Sequence, residues 1–310
     1  MTLREALTRA TRQLDASSGL CADAARDAAL LLRHVLAISH AAQLAEPERE
    51  LTTEQQATFD ALILRRIANE PIQYITGEQE FFGLTLRVTP AVLIPRPETE
   101  QLVEAVLAEM NSAELDRTQP LRILDVGTGS GAIAIALAFH LPHAQITAVD
   151  LSAAALEVAA ANTARHALAG RIRFVQSDLL DGIRTVILSE AAHVVSSEVE
   201  GPAVLPVALP PFDVIVSNPP YVPTADRASL HPQVRDHEPA AALFAGLDGL
   251  DIYRRLIPQA RAALQPNGLL ALEIGHGQRE AIASLLSGWN ELRFLDDLQH
   301  IPRIALARKP

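Results

Sequence analysis

From Leu121 onward the chain alternates short apolar runs with helical stretches, and this rhythm restricts the fold more than any other feature. Leu121–Val126, Gln145–Val149, Arg171–Gln176, Phe212–Ser217 and Leu269–Ile274 read as buried strands. The third is expected to end near Asp178. Between them, Ser130–His140 is almost purely apolar and reads as a buried helix. Ser152 caps a helix running to about His166, and Leu250–Leu264 and Gln278–Leu286 are further helices. Pro266-Asn267-Gly268 reads as a turn, and Glu291–Leu295 with Ile301–Ala307 as a closing antiparallel pair. Such alternation implies an α/β fold: a Rossmann-like, mostly parallel sheet with an antiparallel last strand. Ligands of these sheets bind at the carboxyl ends of the strands.

Three signals fall at those ends. Asp125-Val126-Gly127-Thr128-Gly129-Ser130-Gly131 follows the first strand and opens a helix. Glycines there let a ligand approach the backbone, and the helix start offers N–H groups. The dinucleotide fingerprint is G-x-G-x-x-G, whereas here the third glycine comes one residue early. Asp150 ends the next strand, where a carboxylate can accept both hydroxyls of a ribose. A nucleoside with a short tail, such as S-adenosylmethionine, fits this pattern better than a dinucleotide. Asp178 can accept from an adenine amine, with Leu179 packed on the ring; a plain turn cap is the alternative for Asp178.

The most specific signal is Asn218-Pro219-Pro220-Tyr221, directly after the run Phe212–Ser217. Two adjacent prolines have no N–H and fixed φ angles, so the chain must leave the sheet as a stiff loop. That loop presents carbonyl acceptors, one side-chain amide and one aromatic face. It suits a planar group bearing an NH2. Asn218 and Pro219 would each accept one N–H, Tyr221 would stack on the plane, and Pro220 would stiffen the corner. Orientation and charge placement then supply the rate gain.

Residues 1–72 read as helices only. Thr2 and Glu5 form a capping box ahead of Leu3, Ala6, Leu7, Ala10 and Leu14 on one face. A second helix covers roughly Ala22 to Ile38. A third starts near Thr52 or Thr53, buries Phe59, Leu62, Ile63 and Ile67, and stops at Pro71. This region is either a passive bundle or a recognition module for a macromolecular substrate. Residues 73–110 read as a linker: a hairpin over Glu80–Val88 with Gly83 at or beside the turn, then the strap Leu93-Ile94-Pro95-Arg96-Pro97-Glu98-Thr99-Glu100. On the residues alone this segment is either an interdomain linker with a helix start or a strap over a cofactor site, and the resemblance named below favours the strap, with Arg96, Pro97, Glu98 and Thr99 as candidate contacts. Residues 111–310 form the catalytic domain, interrupted by a serine- and proline-containing insertion at 187–210.

Composition narrows the function classes. The chain has 310 residues, 49% hydrophobic and 20% charged, with a net charge of −11. A protein gripping a phosphate backbone usually shows a basic face, so bulk nucleic-acid binding is disfavoured. Cys21 is the single cysteine, which excludes an internal disulfide and a thiolate zinc cluster. His231 and His237 lack zinc-site spacing, so no metal is expected. No apolar run approaches the ~20 residues of a membrane span, and the N-terminus does not read as a signal peptide. A reducing, cytoplasmic setting is expected.

Asn218–Tyr221, the Asp125–Gly131 loop, Asp150 and the Phe81–Glu100 strap together resemble the release-factor glutamine methyltransferases, the PrmC/HemK family. The likeness covers nearly the whole chain. It implies methyl transfer from S-adenosylmethionine to the side-chain amide of the glutamine in the Gly-Gly-Gln motif of peptide chain release factors, with the N-terminal domain docking that protein. The cofactor set it implies is Gly127, Thr128, Gly129, Ser130, Gly131, Asp150, Asp178, Leu179 and Asn218. In some relatives a tryptophan stands where this chain has Leu179, and the insertion at 187–210 is longer than the family pattern. Two alternatives stay open on the residues alone: an exocyclic-amine methyltransferase acting on adenine in DNA or RNA, and a nucleotide-binding protein without methyl transfer.

Overall fold

The computed structural model describes residues 1–17, 23–112, 120–181, 183 and 211–310. The expected insertion at 187–210 lies outside the described residues. The chain divides into two compact units, Met1–Glu78 with Leu230–Glu238, and Gln79–Ser229 with Pro239–Pro310.

The first unit is helical: α1 (Leu3–Ala16), α2 (Ala24–Leu36), α3 (His40–Ala45), α4 (Thr53–Ile67), α5 (Ile72–Thr76) and, from far along the chain, α9 (Pro232–His237). Leu3, Ala6, Ala10 and Leu14 of α1 form a core with Leu31 and Leu32 of α2 and with Phe59 and Ile63 of α4. The Thr2–Glu5 capping box is present, and α4 starts on a second box between Thr52 and Gln55, which settles its cap as Thr52. The helices α3 and α5 are too short to show periodicity, which is why the sequence did not signal them. Arg66 of α4 is buried and pairs with Asp27 at 2.6 Å. The segment 230–238 joins this cluster: the Gln233 side-chain oxygen, in the orientation that satisfies both groups, accepts from Arg66 Nη2 at 2.7 Å.

The second unit opens with a hairpin of β1 (Glu78–Phe81) and β2 (Leu84–Arg87). Its two turn residues, Phe82 and Gly83, have φ of 52° and 73°, as a two-residue turn that follows strand twist requires. Then come α6 (Pro97–Ser112), β3 (Leu121–Val126), α7 (Ala132–His140), β4 (Ala144–Asp150), α8 (Ala153–Arg165), β5 (Ile172–Gln176) and β6 (Phe212–Ser217). After them follow α10 (Asp251–Ala263), β7 (Leu264–Glu273), α11 (Arg279–Leu285), β8 (Asn290–Asp296) and β9 (Pro302–Arg308). The seven-stranded sheet has the order β5-β4-β3-β6-β7-β9-β8. Strands β3 to β7 pair in parallel, and β9 runs antiparallel between β7 and β8. Successive strand residues feed opposite faces: Ile123, Ile146, Val214 and Leu269 pack with α6 and α7, while Leu124, Val149, Ile215 and Leu270 pack with α10 and α11.

One expectation changes. Pro266-Asn267-Gly268 is not a turn ahead of a strand but lies inside β7, at a register shift where Phe212 faces Leu264 and Val214 faces Leu269. Asn267 takes a φ of 63° there, a conformation asparagine tolerates. Residues 73–110 hold the hairpin, the strap and most of α6. Helix α6 starts at Pro97, a favoured first helical residue, and buries Leu102, Val103 and Val106 in the core of the second unit. No helix among the described residues is long and apolar enough to cross a membrane.

Candidate active site

The chain builds β3, β4 and β5 outward in one direction, then returns to lay β6 on the other side of β3. The loops that leave the two central strands therefore run to opposite sides at the carboxyl ends, the place where open α/β sheets hold ligands. Val126 and Ser217 are opposite one another there, and the Ser217 hydroxyl donates to the Val126 carbonyl at 2.7 Å. The glycine loop and the Asn218 loop start from these two residues and share one crevice.

The glycine loop folds back over β4. Gly127 and Thr128 N–H both donate to the Val149 carbonyl at 2.9 Å. Gly129 N–H donates to Asp150 Oδ2 at 2.8 Å, and Ser152 N–H to Asp150 Oδ1 at 2.9 Å. Each carboxylate oxygen keeps a second lone pair for a ligand. Gly127 and Gly129 have φ of 74° and 56°, and a Cβ on either would meet no atom within 4 Å. The loop thus leaves open space on its ligand side. Gly131 serves packing instead, because a Cβ there would meet Ala159 Cβ at 3.1 Å. Thr128 and Ser130 are buried, and the Thr128 hydroxyl donates to Asp125 at 2.6 Å. Burial pushes the Asp125 carboxyl up to about 7, against the Thr128 bond and helped by the nearby Asp150 charge.

Pro219 is buried, while Asn218, Pro220 and Tyr221 are half-buried. Asn218 Nδ2 donates to Thr99 Oγ1 at 2.9 Å, and Thr99 Oγ1 donates to Glu273 Oε2 at 2.6 Å. The Tyr221 hydroxyl faces Glu273 Oε1 at 3.4 Å. The Tyr221 carbonyl accepts from Gln278 Nε2 at 3.1 Å, and Gly249 approaches it so closely that a Cβ would lie 2.2 Å from that oxygen. Tyr221 is therefore held at its backbone carbonyl and at its hydroxyl. Glu273 closes β7; its backbone carbonyl accepts from the Tyr253 hydroxyl at 2.7 Å. Burial pushes its carboxyl up to about 7; Glu98 raises it further, and Thr99, Arg303 and Tyr221 oppose this. Burial, with Glu273 alongside, also raises the Tyr221 phenol, so it stays a donor.

The structure brings Gly127, Gly129, Asp150, Asn218, Pro219, Tyr221 and Thr99 to this crevice. The other expected contacts have the following surroundings. Asp178 lies one residue beyond the buried Ser177, is exposed and pairs with Arg255 of α10 at 2.7 Å. That pairing occupies Oδ2 and leaves Oδ1 able to accept. Leu179, at φ 52°, packs against the core cluster that includes Val126 and Val149. In the strap, Pro97 and Glu98 are exposed and Arg96 is half-buried, so Thr99 is the member that touches the Asn218 side chain. Sequence reasoning missed Glu273, Gln278 and Asn162. Asn162 is buried on α8 and holds the glycine loop by donating to the Ser130 carbonyl at 2.9 Å. A lone polar residue ending or interrupting an apolar run, as Glu273 does after Leu269–Leu272, was the available signal.

A switch-point crevice with an open glycine turn on one strand and a proline-stiffened amide corner on the next defines a Rossmann-like methyltransferase. Residues 118–280 match a methyltransferase domain, and residues 5–77 match the PrmC N-terminal domain. A release factor glutamine methyltransferase of Koribacter versatilis is 41% identical, covering 100% of this chain and 99% of its own. Those of Moorella thermoacetica (43%, covering 92% and 89%) and Deinococcus radiodurans (39%, covering 100% and 99%) are similar over almost as much and as much, respectively. The chain belongs to the release factor glutamine methyltransferase family.

Proposed function

We propose that this protein methylates the side-chain amide nitrogen of the glutamine in the Gly-Gly-Gln motif of peptide chain release factors, using S-adenosylmethionine. The observation that carries the reading is the Asn218 amide, whose NH2 is committed to Thr99 and whose oxygen is left to accept. The full-length relatives named for this reaction support it over a nucleic-acid amine or a plain nucleotide.

The residues present fit the cofactor. The space beside Gly127 and Gly129 admits a ligand against the backbone, and the Asp150 carboxylate can take ribose hydroxyls on its free lone pairs. When bound, S-adenosylmethionine supplies a methyl group on a positively charged sulfur. The chain's own part is to hold the acceptor. An amide nitrogen is a weak nucleophile because its lone pair is delocalised into the carbonyl. Asn218 Oδ1 and the Pro219 carbonyl each accept one N–H of the substrate, which pins the nitrogen and favours a pyramidal shape. Tyr221 lies along the amide plane. These are orientation and electrostatic effects, realised most fully in the transition state. Asp178 accepts from the adenine amine with Leu179 packed on the ring, and the helical N-terminal unit docks the release factor. The substrate and the single cysteine support a cytoplasmic setting.

The test incubates the protein with labelled S-adenosylmethionine and a release factor carrying either Gln or Ala in its glycine-flanked motif. One methyl group on the Gln form and none on the Ala form is expected. Label on plain DNA or RNA, with none on the release factor, overturns the reading.

A further inference from the structure

We propose that Thr99 and Glu273 are positioning residues that lock the Asn218 amide with its oxygen turned to the substrate nitrogen. The inference rests on the amide-methylation reading above and extends it to two side chains that touch no reactant.

The argument is one of donors and acceptors. A threonine hydroxyl has one proton to give and two lone pairs to offer. The Thr99 proton goes to the Glu273 carboxylate at 2.6 Å, a length typical of a bond to a charged acceptor. Oγ1 then has only lone pairs left for Asn218 at 2.9 Å. The NH2 end of Asn218 can satisfy it and the carbonyl end cannot. An asparagine amide is nearly symmetric in shape, so packing alone does not choose between its two orientations. The flipped amide would turn its own NH2 on the substrate NH2, donor against donor. The Thr99–Glu273 pair removes that state.

Burial makes the choice decisive. Thr99 is 4% and Glu273 2% exposed, so water does not compete for these bonds. A buried carboxylate is costly unless paired and hydrogen-bonded. Glu273 has the Thr99 and Tyr221 hydroxyls on its two oxygens. The groups facing it come from every packed element: Glu98 and Thr99 on α6, Tyr221 in the loop after β6, Tyr253 on α10 and Arg303 on β9, with Arg96 acting on Tyr221. Protonation of Glu273 reverses the chain of donors. The carboxyl would donate to Thr99, and Thr99 would offer its proton to Asn218, favouring the flipped amide. Turnover is then expected to fall on the acid side of neutrality while cofactor affinity stays.

The experiment measures kcat, KM for the release factor and S-adenosylhomocysteine binding for wild type, Thr99→Val, Thr99→Ser and Glu273→Gln. Thr99→Val keeps the shape and loses the hydroxyl; it should lower kcat about 10- to 100-fold, with KM and the S-adenosylhomocysteine Kd within about threefold. Thr99→Ser should recover to within about threefold of wild type. Glu273→Gln should lose the acid limb of the kcat profile. A wild-type protein that transfers no methyl to the release factor overturns the function and this inference together. An active wild type with an unaffected Thr99→Val, or with Thr99→Ser as impaired as Thr99→Val, overturns this inference alone. Should Thr99→Val not fold, the profile of Glu273→Gln decides by itself: an unchanged acid limb sinks the proposal.

Discussion

The Ser217 hydroxyl and the Val126 carbonyl, 2.7 Å apart and fully enclosed, join the ends of the two central strands just where both loops of the crevice begin. Ser217→Ala leaves a buried carbonyl without this donor. A loss of about 1–2 kcal/mol in stability is expected, read by urea unfolding, together with weaker S-adenosylhomocysteine binding because both loops lose their common anchor. Unchanged binding and stability would show the strands to be held by the backbone ladder alone.

Asn218→Ala removes an acceptor for the substrate amide without touching the glycine loop. Turnover should drop about 100-fold, the scale for losing one preorganised polar contact at a reacting group. Cofactor affinity should stay close to wild type. Single-turnover methylation beside calorimetry with S-adenosylhomocysteine separates the two, and full single-turnover rates would refute the role given to this side chain.

Gly249 and Gly277 make a matched pair. Both have φ near 75–78°, but a Cβ on Gly249 would lie 2.2 Å from the Tyr221 carbonyl, whereas one on Gly277 would meet nothing within 4 Å. Alanine at either site carries backbone strain of about 1–3 kcal/mol. Only Gly249→Ala should also displace Tyr221 and depress kcat. Thermal melts and turnover numbers for the two variants, compared directly, check this; equal kcat in both would argue against the bracing of Tyr221.

Asp125 and Glu273 titrate near 7 in the folded chain, against 3.8 and 4.5 as reference values. Between those limits the native state holds protons that the unfolded chain releases. The stability contributed is full below the unfolded values and is lost as pH rises through about 7. Glu273→Gln cannot ionise, so its stability should decline less than that of wild type between about pH 5.5 and pH 8. The difference should be on the order of 3 kcal/mol at most. Denaturant titrations at both pH values measure it, and a wild type that gains on its variant toward pH 8 would contradict the burial of a charged carboxylate.

The parts of the fold legible in the sequence are those set by near neighbours. Strand β3, the glycine turn and strand β6 each declare themselves within a few residues, and Pro219-Pro220 marks its own corner. The capping boxes at Thr2 and Thr52 span three positions. What escaped depends on partners far apart in the chain. Thr99 meets Glu273 across 174 positions and Asn218 across 119. Nothing local shows that Asp178 pairs with Arg255, 77 positions away. The extension of β7 back to Leu264 was hidden by Pro266 and Gly268, residues that weaken strands unless an irregularity in the ladder admits them.

The excursion of residues 230–238 into the helical unit makes that unit discontinuous along the chain. A fragment cut after Glu78 would lack the Gln233 partner of Arg66 and the His237 ring that meets the Ala68 carbonyl. Grafting the N-terminal helices of one relative onto the methyltransferase of another must therefore carry this nonapeptide with them, since its two halves were shaped to fit together.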